Sequence, residues 1–432
     1  MAPAKDGRRQ RRRGAANAAR ASIRKSEQSC LVRFVRPSRR PFGARMLTTL
    51  AIANYRSLRD LIVPLARLNV ITGANGSGKS SVYRALRLLA VTARGGVIPS
   101  LAREGGLQST LWAGPERFSR AMLAGDTPVQ GTRRTEPVNL RLGFAGDEFG
   151  YAIDLGLPIP GETQFGLDPV IKRECIWSGP VLRPSALLVD RHGASIRTRA
   201  DDGEWQTIPH TVASFDSMMT EFSDPRSAPE MIAVREQIRS WRFYDHFRTD
   251  AESPVRLPQI GTHTPVLGDD GADLAAALQT IREIGDAAAL DTAIDDAFPG
   301  SRVAITNIEG RFEVTMQQQG LLRALKGAEL SDGTLRYLLL VAALLTPRPP
   351  ALLVLNEPET SLHPDLLPAL ARLIARASLR SQVIVVSHAA RLIAALERED
   401  GSESVVLEKQ LGATRIADAE SRVLPAWKWP AR

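Results

Sequence analysis

The sequence is poor in the features that stabilise secreted scaffolds and membrane proteins. Its 432 residues include two cysteines, Cys30 and Cys175, which show neither a disulfide framework nor metal-ligand spacing. The longest apolar run, 337–345, is well short of the roughly 18 residues that a membrane span needs. We therefore expect a cytoplasmic protein without a membrane partner.

Apolar heptads flanked by charges are also missing from the chain. A head domain joined to a long coiled coil would show them over many turns, so we expect no long coiled coil. Hydrophobic residues make up 44% of the chain. At this length they can bury a large core in one or two domains.

The formal net charge of +9 is concentrated at one end of the chain. Residues 1–45 hold 14 Lys and Arg and two acids, whereas the remainder holds 42 basic and 45 acidic side chains. This composition predicts disorder for 1–45. Three interpretations of the segment stay open: a nucleic-acid-binding arm, an Arg-rich targeting peptide, or an upstream stretch that is not translated. We favour the third, because Met46 looks like a natural start before a first strand.

A glycine-rich segment at 73–80 fits the G-x-x-x-x-G-K-[ST] phosphate loop, or P-loop. An apolar run at 68–72 predicts a strand before it, and the spacing of 81–89 predicts a helix after it. Backbone N–H groups of such a loop converge on phosphates, Lys79 adds a positive charge, and the Ser80 hydroxyl is a ligand for Mg²⁺. An ordinary glycine-rich turn is the alternative, and the Lys-Ser pair disfavours it. The predicted nucleotide contacts are Gly73, Asn75, Gly76, Ser77, Gly78, Lys79, Ser80 and Ser81.

Three further segments follow in the second half of the chain. Leu330-Ser331-Asp332-Gly333-Thr334 places Ser331 as the N-cap of an apolar helix. A buried strand ends in Asn356-Glu357 and continues as 358–364, and another strand precedes His388. Taken alone, each has an ordinary structural explanation: a helix start, a strand end, or a histidine after a strand.

In this order, the four segments resemble the RecF/SMC-like group of ABC-type ATPases. The run 357–364 (EPETSLHP) is similar to the E-P-E-x-x-L-H-P run of that group. The resemblance implies that Ser331 and Gly333 contact the γ-phosphate of an ATP held by the opposite protomer. Asp332 and Thr334 depart from the usual L-S-G-G-Q signature turn.

The resemblance also implies roles for the catalytic residues. Glu357 is the expected general base and His388 the switch histidine at the γ-phosphate. Asn356 stands where an Asp is usual, so it would hold Mg²⁺ through water without a negative charge, and hydrolysis is expected to be slow. Gln108 is the candidate for the glutamine that senses Mg²⁺ and water. Tyr55 and Arg56 lie in a first-strand segment, where a plain strand end is favoured over contact with nucleotide or DNA.

The segment between the two halves predicts an attached β layer. Short strands are expected at 138–142, 149–155, 171–177, 186–189 and 195–198, and a helix at 226–242. The aromatic cluster at 241–248 either stacks on bases or packs a helix onto the body, and packing is favoured.

The predicted fold class is α/β: a P-loop NTPase of the ABC-type head, with an attached antiparallel β subdomain and a helical insertion. The predicted domains are the extension 1–45, ATPase lobe I at 46–125, the inserted subdomain at 126–260 and ATPase lobe II at 261–432.

The resemblance implies an ATP-binding and ATP-hydrolysing enzyme with ATP and Mg²⁺ as ligands. Two protomers are expected to close face to face on ATP and to separate after hydrolysis. Family analogy favours a DNA-associated role in repair or genome maintenance. The alternative is a regulatory or defence-system ATPase that acts on a partner effector protein without DNA contact. An importer ATPase is disfavoured by 357–364 and by the inserted sheet.

Overall fold

Two large β-sheets and a small third sheet carry the fold. The computed structural model describes residues 46–130, 138–161, 163–200, 202–222 and 224–431, all of which belong to one compact unit, Phe42–Arg432. The predictions for 1–45, including Cys30, lie outside these residues. The strands are β1 Leu47–Tyr55, β2 Leu58–Pro64, β3 Leu68–Gly73, β4 Leu140–Gly146, β5 Phe149–Gly156, β6 Val170–Ser178, β7 Leu187–His192, β8 Ser195–Arg199, β9 Trp205–Thr207, β10 Arg242–Tyr244, β11 Gln259–Ile260, β12 Arg302–Ile308, β13 Arg311–Gln317, β14 Leu325–Lys326, β15 Leu352–Asn356, β16 Gln382–Val386, β17 Ser402–Gln410 and β18 Ala413–Ile416.

The helices in the described part of the chain are short. The longest, α1, has 14 residues, and none has the length and apolar character needed to cross a membrane. The helices are α1 Lys79–Thr92, α2 Val97–Arg103, α3 Leu107–Thr110, α4 Arg120–Ala124, α5 Met218–Glu221, α6 Pro229–Arg239, α7 Leu274–Ile284, α8 Ala287–Ala297, α9 Asp332–Leu344, α10 Leu367–Ser378 and α11 Ala390–Leu396.

A six-stranded sheet forms the centre of the molecule, in the order β10-β15-β16-β3-β17-β18. All its neighbouring pairs are parallel except β17 with β18. Leu352 and Val354 of β15 pack into one hydrophobic core, whereas Leu353 and Leu355 pack into the other. Because successive side chains of a strand point to opposite faces, the sheet is buried on both sides, which explains the unbroken apolar runs in its strands.

An eight-stranded antiparallel sheet lies beside this core, in the order β2-β1-β4-β5-β6-β7-β8-β9. It confirms the predicted antiparallel layer, with β4 to β8 near the expected positions. Its first two strands precede the P-loop, so the sheet combines residues from the predicted lobe I and from the predicted insertion. The boundaries at residues 126 and 261 stay predictions.

The helix predicted at 226–242 is too long at both ends. The structure shows α6 at Pro229–Arg239, and Arg242–Tyr244 forms β10, which pairs with Leu353–Leu355 of β15. That pairing joins segments more than 100 residues apart, so helical spacing alone could not indicate it. Trp241, Phe243 and Phe247 are buried, which supports packing rather than base stacking by this cluster.

A small sheet and several helices complete the second half of the chain. Strand β13 pairs with β12 along its whole length and with β11 and β14 on its other edge. Helices α7 to α10 contribute to the core on one face of the central sheet. Helix α9 is buried along nearly its entire length, and its first turn therefore has a fixed position next to the site described below.

Candidate functional site

Three of the predicted motifs meet at the carboxyl edge of the central sheet. Strand β16 lies between β15 and β3, so the chain segments that leave these three strands are neighbours. The amide of Glu357 donates to the carbonyl of Val386 at 2.8 Å, and the amide of Ser387 donates to the carbonyl of Ile71 at 3.1 Å. These bonds tie the P-loop strand, the Asn356-Glu357 segment and the His388 segment together, and ligands of open α/β sheets bind at this edge.

The P-loop wraps around the ammonium group of Lys79. Lys79 Nζ donates to the carbonyls of Gly73 at 2.7 Å and Ala74 at 3.0 Å. Gly73, Gly76 and Gly78 have φ angles of 144°, 77° and 111°, which favour glycine. Asn75, Gly76 and Ser80 are exposed and Ser77 is buried. The loop thus holds its cation ready at the start of α1, where helix N–H groups favour an anion.

Thr414 supports this loop, although no sequence motif indicated this role. Its hydroxyl donates to the carbonyl of Ser77 at 2.7 Å and lies 2.8 Å from Ser57 Oγ. The side chain is 2% exposed. A Cβ atom on Gly78 would come within 2.3 Å of Thr414 Oγ1, so Thr414 also explains why a glycine is needed at that position.

Glu357 has an uncommon backbone conformation. Its φ angle is 48°, a left-handed value that costs a residue with a side chain roughly 1–3 kcal/mol. Its carbonyl accepts from the amide of Thr360 at 3.1 Å and from Arg336 at 3.4 Å. The side chain is 43% exposed. The surrounding contacts therefore fix the backbone of Glu357 and leave its carboxylate accessible to solvent.

Arg336 connects helix α9 to this carboxylate-bearing segment. It is 3% exposed, and burial lowers its pKa, an effect that the nearby Glu359, Asp245 and Glu357 oppose. Its guanidinium also donates to the carbonyl of Asp245 at 3.2 Å. A cation is thus buried between the signature helix and the predicted general base.

His388 lies beside two carboxylates. Its Nδ1 atom is 3.7 Å from Glu357 Oε1 and 3.5 Å from Glu359 Oε1. Glu359 is 9% exposed, and its Oε1 accepts from the Ser387 hydroxyl at 2.7 Å and from the amide of His388 at 3.1 Å. Glu359 therefore fixes the loop that presents His388 to the site.

The residues at the end of β15 suit a magnesium ion. Asn356 Oδ1 is buried and has no hydrogen-bond partner among the described residues. An unpaired buried oxygen is costly unless a donor such as a metal-bound water completes it. Ser80, an exposed residue at the start of α1, is the second predicted ligand. The donor set is all oxygen, as Mg²⁺ prefers.

Gln108 and the Tyr55-Arg56 pair have structural surroundings of their own. Gln108 is exposed on α3, and its side chain forms no hydrogen bond with Ser80 or Asn356 within the described ranges. The Tyr55 hydroxyl donates to Glu104 at 2.7 Å, and Arg56 forms an ion pair with Glu104 at 2.6 Å. Burial, together with Glu104, raises the pKa of Tyr55. These contacts fit a plain strand end, whereas the metal role of Gln108 stays a prediction.

The signature turn lines a groove with residues other than those of the P-loop. Ser331 is the N-cap of α9, and its Oγ accepts from the amide of Thr334 at 3.2 Å, as predicted. The turn lines an open groove of about 530 Å³ with the segment that follows Glu357. The lining residues are Phe298, Ser331, Gly333, Thr334, Ser361, Leu362, His363, Pro364, Asp365 and Leu366, and none of them belongs to the P-loop.

The motifs and their arrangement agree with the comparison to known families. Residues 68–394 match the family described as "AAA domain, putative AbiEii toxin, Type IV TA system", which is more than half of the chain. The chain belongs to this family. It is an ATP-binding P-loop ATPase of the AAA type, and the predicted α/β fold class is confirmed. No helix in the described part of the chain exceeds 14 residues, which agrees with the expectation of no long coiled coil.

Comparison with solved structures finds heads of SMC proteins. The SMC head bound to the C-winged helix domain of ScpA has a TM-score of 0.47 and 14% identity, over 86% of this chain and 97% of that chain. The SMC head domain from Thermotoga maritima has a TM-score of 0.43 and 14% identity, over 86% and 98%. The Smc head with an extended coiled coil from Pyrococcus furiosus, bound to the C-terminal domain of ScpA, has 0.43 and 13%, over 86% and 96%. No curated protein sequence matches the chain.

Proposed function

We propose that this ATPase is a nucleotide-driven clamp in which two copies close face to face on two ATP molecules. The observation that carries the proposal is the separate location of the signature turn. Ser331 and Gly333 line their groove with the segment after Glu357 and not with the P-loop. A γ-phosphate held by the P-loop of a second copy fills this groove, so each ATP is shared between two chains. Binding energy then drives closure, and hydrolysis resets the clamp.

The P-loop binds the phosphates of ATP. Lys79 exchanges the carbonyls of Gly73 and Ala74, its present partners, for oxygens of the β- and γ-phosphates. The N–H groups of the loop and of the first turn of α1 bind the same oxygens. Ser80 would hold Mg²⁺ directly and Asn356 would hold it through water, and the ion would supply positive charge at the β- and γ-phosphates.

Glu357 accepts a proton from the attacking water as the new bond to the γ-phosphorus forms. The bond from that phosphorus to the β–γ bridging oxygen breaks, and ADP and phosphate are the products. The exposed carboxylate of Glu357 is open to a water molecule, and His388 donates to the γ-phosphate from the loop that Glu359 fixes. Because Asn356 brings no charge, it would hold Mg²⁺ more weakly than an aspartate would, and we expect turnover to be slow.

ATP turnover and oligomeric state of three full-length proteins test this mechanism. We expect the wild type to hydrolyse ATP, Lys79→Ala to bind no ATP, and Glu357→Gln to bind ATP without hydrolysing it and to accumulate as a dimer. A Glu357→Gln protein that stays monomeric at saturating ATP and Mg²⁺ would contradict the clamp.

Duplex DNA is the proposed substrate of the clamp, in repair or genome maintenance. The support is the resemblance to RecF/SMC-like ATPases. Residues 46–432 carry a slight negative net charge, with 42 basic and 45 acidic side chains, so binding must rely on a local basic surface of the closed dimer. DNA that raises turnover, with binding that weakens steeply as salt rises, supports this assignment. No binding at low salt by a chain that begins at Met46 overturns it.

A partner effector is the second candidate, and the family description, which names a toxin of a toxin–antitoxin system, favours it. In this case the ATPase acts on another protein and does not contact DNA. Expression of the wild type is then expected to arrest growth, whereas expression of Lys79→Ala at the same level does not. Growth that is unaffected by the wild type, with or without the product of a neighbouring gene, counts against this candidate.

A further inference from the structure

The signature turn contains a carboxylate at a position where ABC-type signatures have a glycine. Asp332 is the first residue of α9 and lies next to the cap residue Ser331. Its side chain is 58% exposed. An acidic side chain at this place competes with an anionic ligand for the N–H groups of the first helical turn, and it repels that ligand. A turn that receives a γ-phosphate therefore needs something to neutralise Asp332.

Arg256 meets that need. Its Nη2 atom lies 2.5 Å from Asp332 Oδ1, a short charge-assisted hydrogen bond. The Arg256 side chain is only 10% exposed. The pair is therefore partly shielded from solvent and salt, and the charge of the turn is balanced within the protomer.

The same guanidinium also fixes the backbone that leads into the turn. Its Nη1 donates to the carbonyls of Leu330 at 2.7 Å, Ala328 at 3.2 Å and Gly327 at 3.4 Å. On its other side, Nε and Nη2 donate to the carbonyl of Thr249 at 2.9 Å and 2.8 Å, and Nε also donates to the carbonyl of Asp250 at 3.0 Å. The five N–H donors of the guanidinium serve these six contacts and the one to Asp332 by sharing some donors, and the single ammonium group of a lysine cannot reach both sides.

We infer that Arg256 is a positioning residue of the shared ATP site. It neutralises Asp332 and holds 327–332 in place, so that Ser331 and the first N–H groups of α9 bind the γ-phosphate of an ATP carried by a second copy. The inference rests on the proposed clamp. In this arrangement Arg256 does not contact ATP and takes no part in binding ATP to the P-loop of its own chain.

The test measures ATP-dependent dimerisation in the Glu357→Gln background, by mass photometry over a range of protein concentrations. Arg256→Ala is expected to weaken the dimer by about tenfold or more, with binding of a fluorescent ATP analogue to the monomer unchanged. Adding Asp332→Gly to Arg256→Ala is expected to recover part of the loss, because the unbalanced carboxylate is gone while the backbone contacts of Arg256 stay absent. A role confined to folding of the turn predicts no such recovery.

Arg282 provides a matched control. It donates to a backbone carbonyl, that of Val303 at 2.6 Å, and pairs with Asp291 at 2.8 Å, but it lies outside the signature turn. Arg282→Ala is expected to leave dimerisation unchanged. If Arg256→Ala does not fold, Arg256→Gln, which loses the charge and keeps an amide donor, is expected to weaken the dimer and to be improved by Asp332→Gly.

Two outcomes separate the inference from the clamp. If the Glu357→Gln parent forms no dimer with ATP, the clamp itself is wrong and the inference falls with it. If the parent dimerises and a folded Arg256→Ala protein dimerises equally well, or if Asp332→Gly brings no recovery, the clamp stands and the role of Arg256 is refuted.

Discussion

The contact between Thr414 and the P-loop predicts a measurable loss of ATP affinity in Thr414→Val. Valine has nearly the same shape as threonine but no hydroxyl. The change therefore removes the donor to the Ser77 carbonyl, 2.7 Å away, and the contact to Ser57 Oγ at 2.8 Å, while the packing against Gly78 is kept.

The expected magnitude follows from burial. A buried polar group that loses its partner costs about 1–3 kcal/mol. The free loop can avoid this cost by opening so that water reaches the Ser77 carbonyl. Opening lowers the fraction of molecules that are ready to bind phosphate, and the apparent dissociation constant rises in proportion. We expect ATP to bind roughly 5- to 30-fold more weakly to Thr414→Val, which corresponds to about 1–2 kcal/mol.

Equilibrium binding of a fluorescent ATP analogue measures this effect, with Thr414→Ser as the matched control. Serine keeps the hydroxyl and loses only a methyl group, so its affinity should stay within about threefold of the wild type. The reasoning is refuted if Thr414→Val binds ATP as tightly as the wild type, or if Thr414→Ser is as impaired as Thr414→Val.

Four other substitutions follow from the site. Gly73→Ala should abolish ATP binding, because its Cβ would lie 2.2 Å from the Leu407 carbonyl oxygen. Gly76→Ala has no atom within 4 Å of its Cβ, so it should cost only about 1–2 kcal/mol of binding free energy from its φ angle. Titration with ATP distinguishes the two variants, and equal losses of affinity would contradict the argument. Asn356→Asp should lower the Mg²⁺ concentration for half-maximal turnover by roughly tenfold, since a carboxylate attracts the ion, and no change would remove Asn356 from the metal site. Arg336→Met should lower the rate of ATP hydrolysis by about tenfold and leave ATP affinity unchanged. Single-turnover kinetics measure this rate, and an unchanged rate would refute the view that Arg336 positions the backbone of Glu357.

The local motifs of this chain could be predicted because each one encodes its own backbone geometry. Glycines at 73, 76 and 78 permit the φ angles of the loop, Ser331 caps the helix that follows it, and apolar runs become the buried strands β3, β15 and β16. The order of the motifs then indicated the type of ATPase. The structure adds that Glu357 and His388 lie at one edge of one sheet, as the order of these strands requires.

Contacts between distant segments could not be predicted in the same way. Thr414 reaches a loop more than 300 residues earlier in the chain, and Arg256 binds a turn more than 70 residues later. Neither residue belongs to a motif or a periodic pattern, and their roles depend on the pairing of strands and turns in three dimensions. The helix predicted to end at residue 242 was wrong for the same reason, because pairing with β15 made Arg242–Tyr244 a strand.

The central claim is that each ATP is shared between two chains, and mixing two inactive variants tests it most directly. Lys79→Ala removes the P-loop cation, and Ser331→Phe blocks the signature groove. A mixed dimer has one site with both defects and one intact site, because the interface of a two-fold dimer is the same on both chains. Neither variant alone should hydrolyse ATP, and an equal mixture should recover about one quarter of the wild-type rate, since half of the dimers are mixed and each has one of two sites. Turnover by Ser331→Phe alone, or a mixture that stays inactive although both proteins are folded, would contradict the shared site.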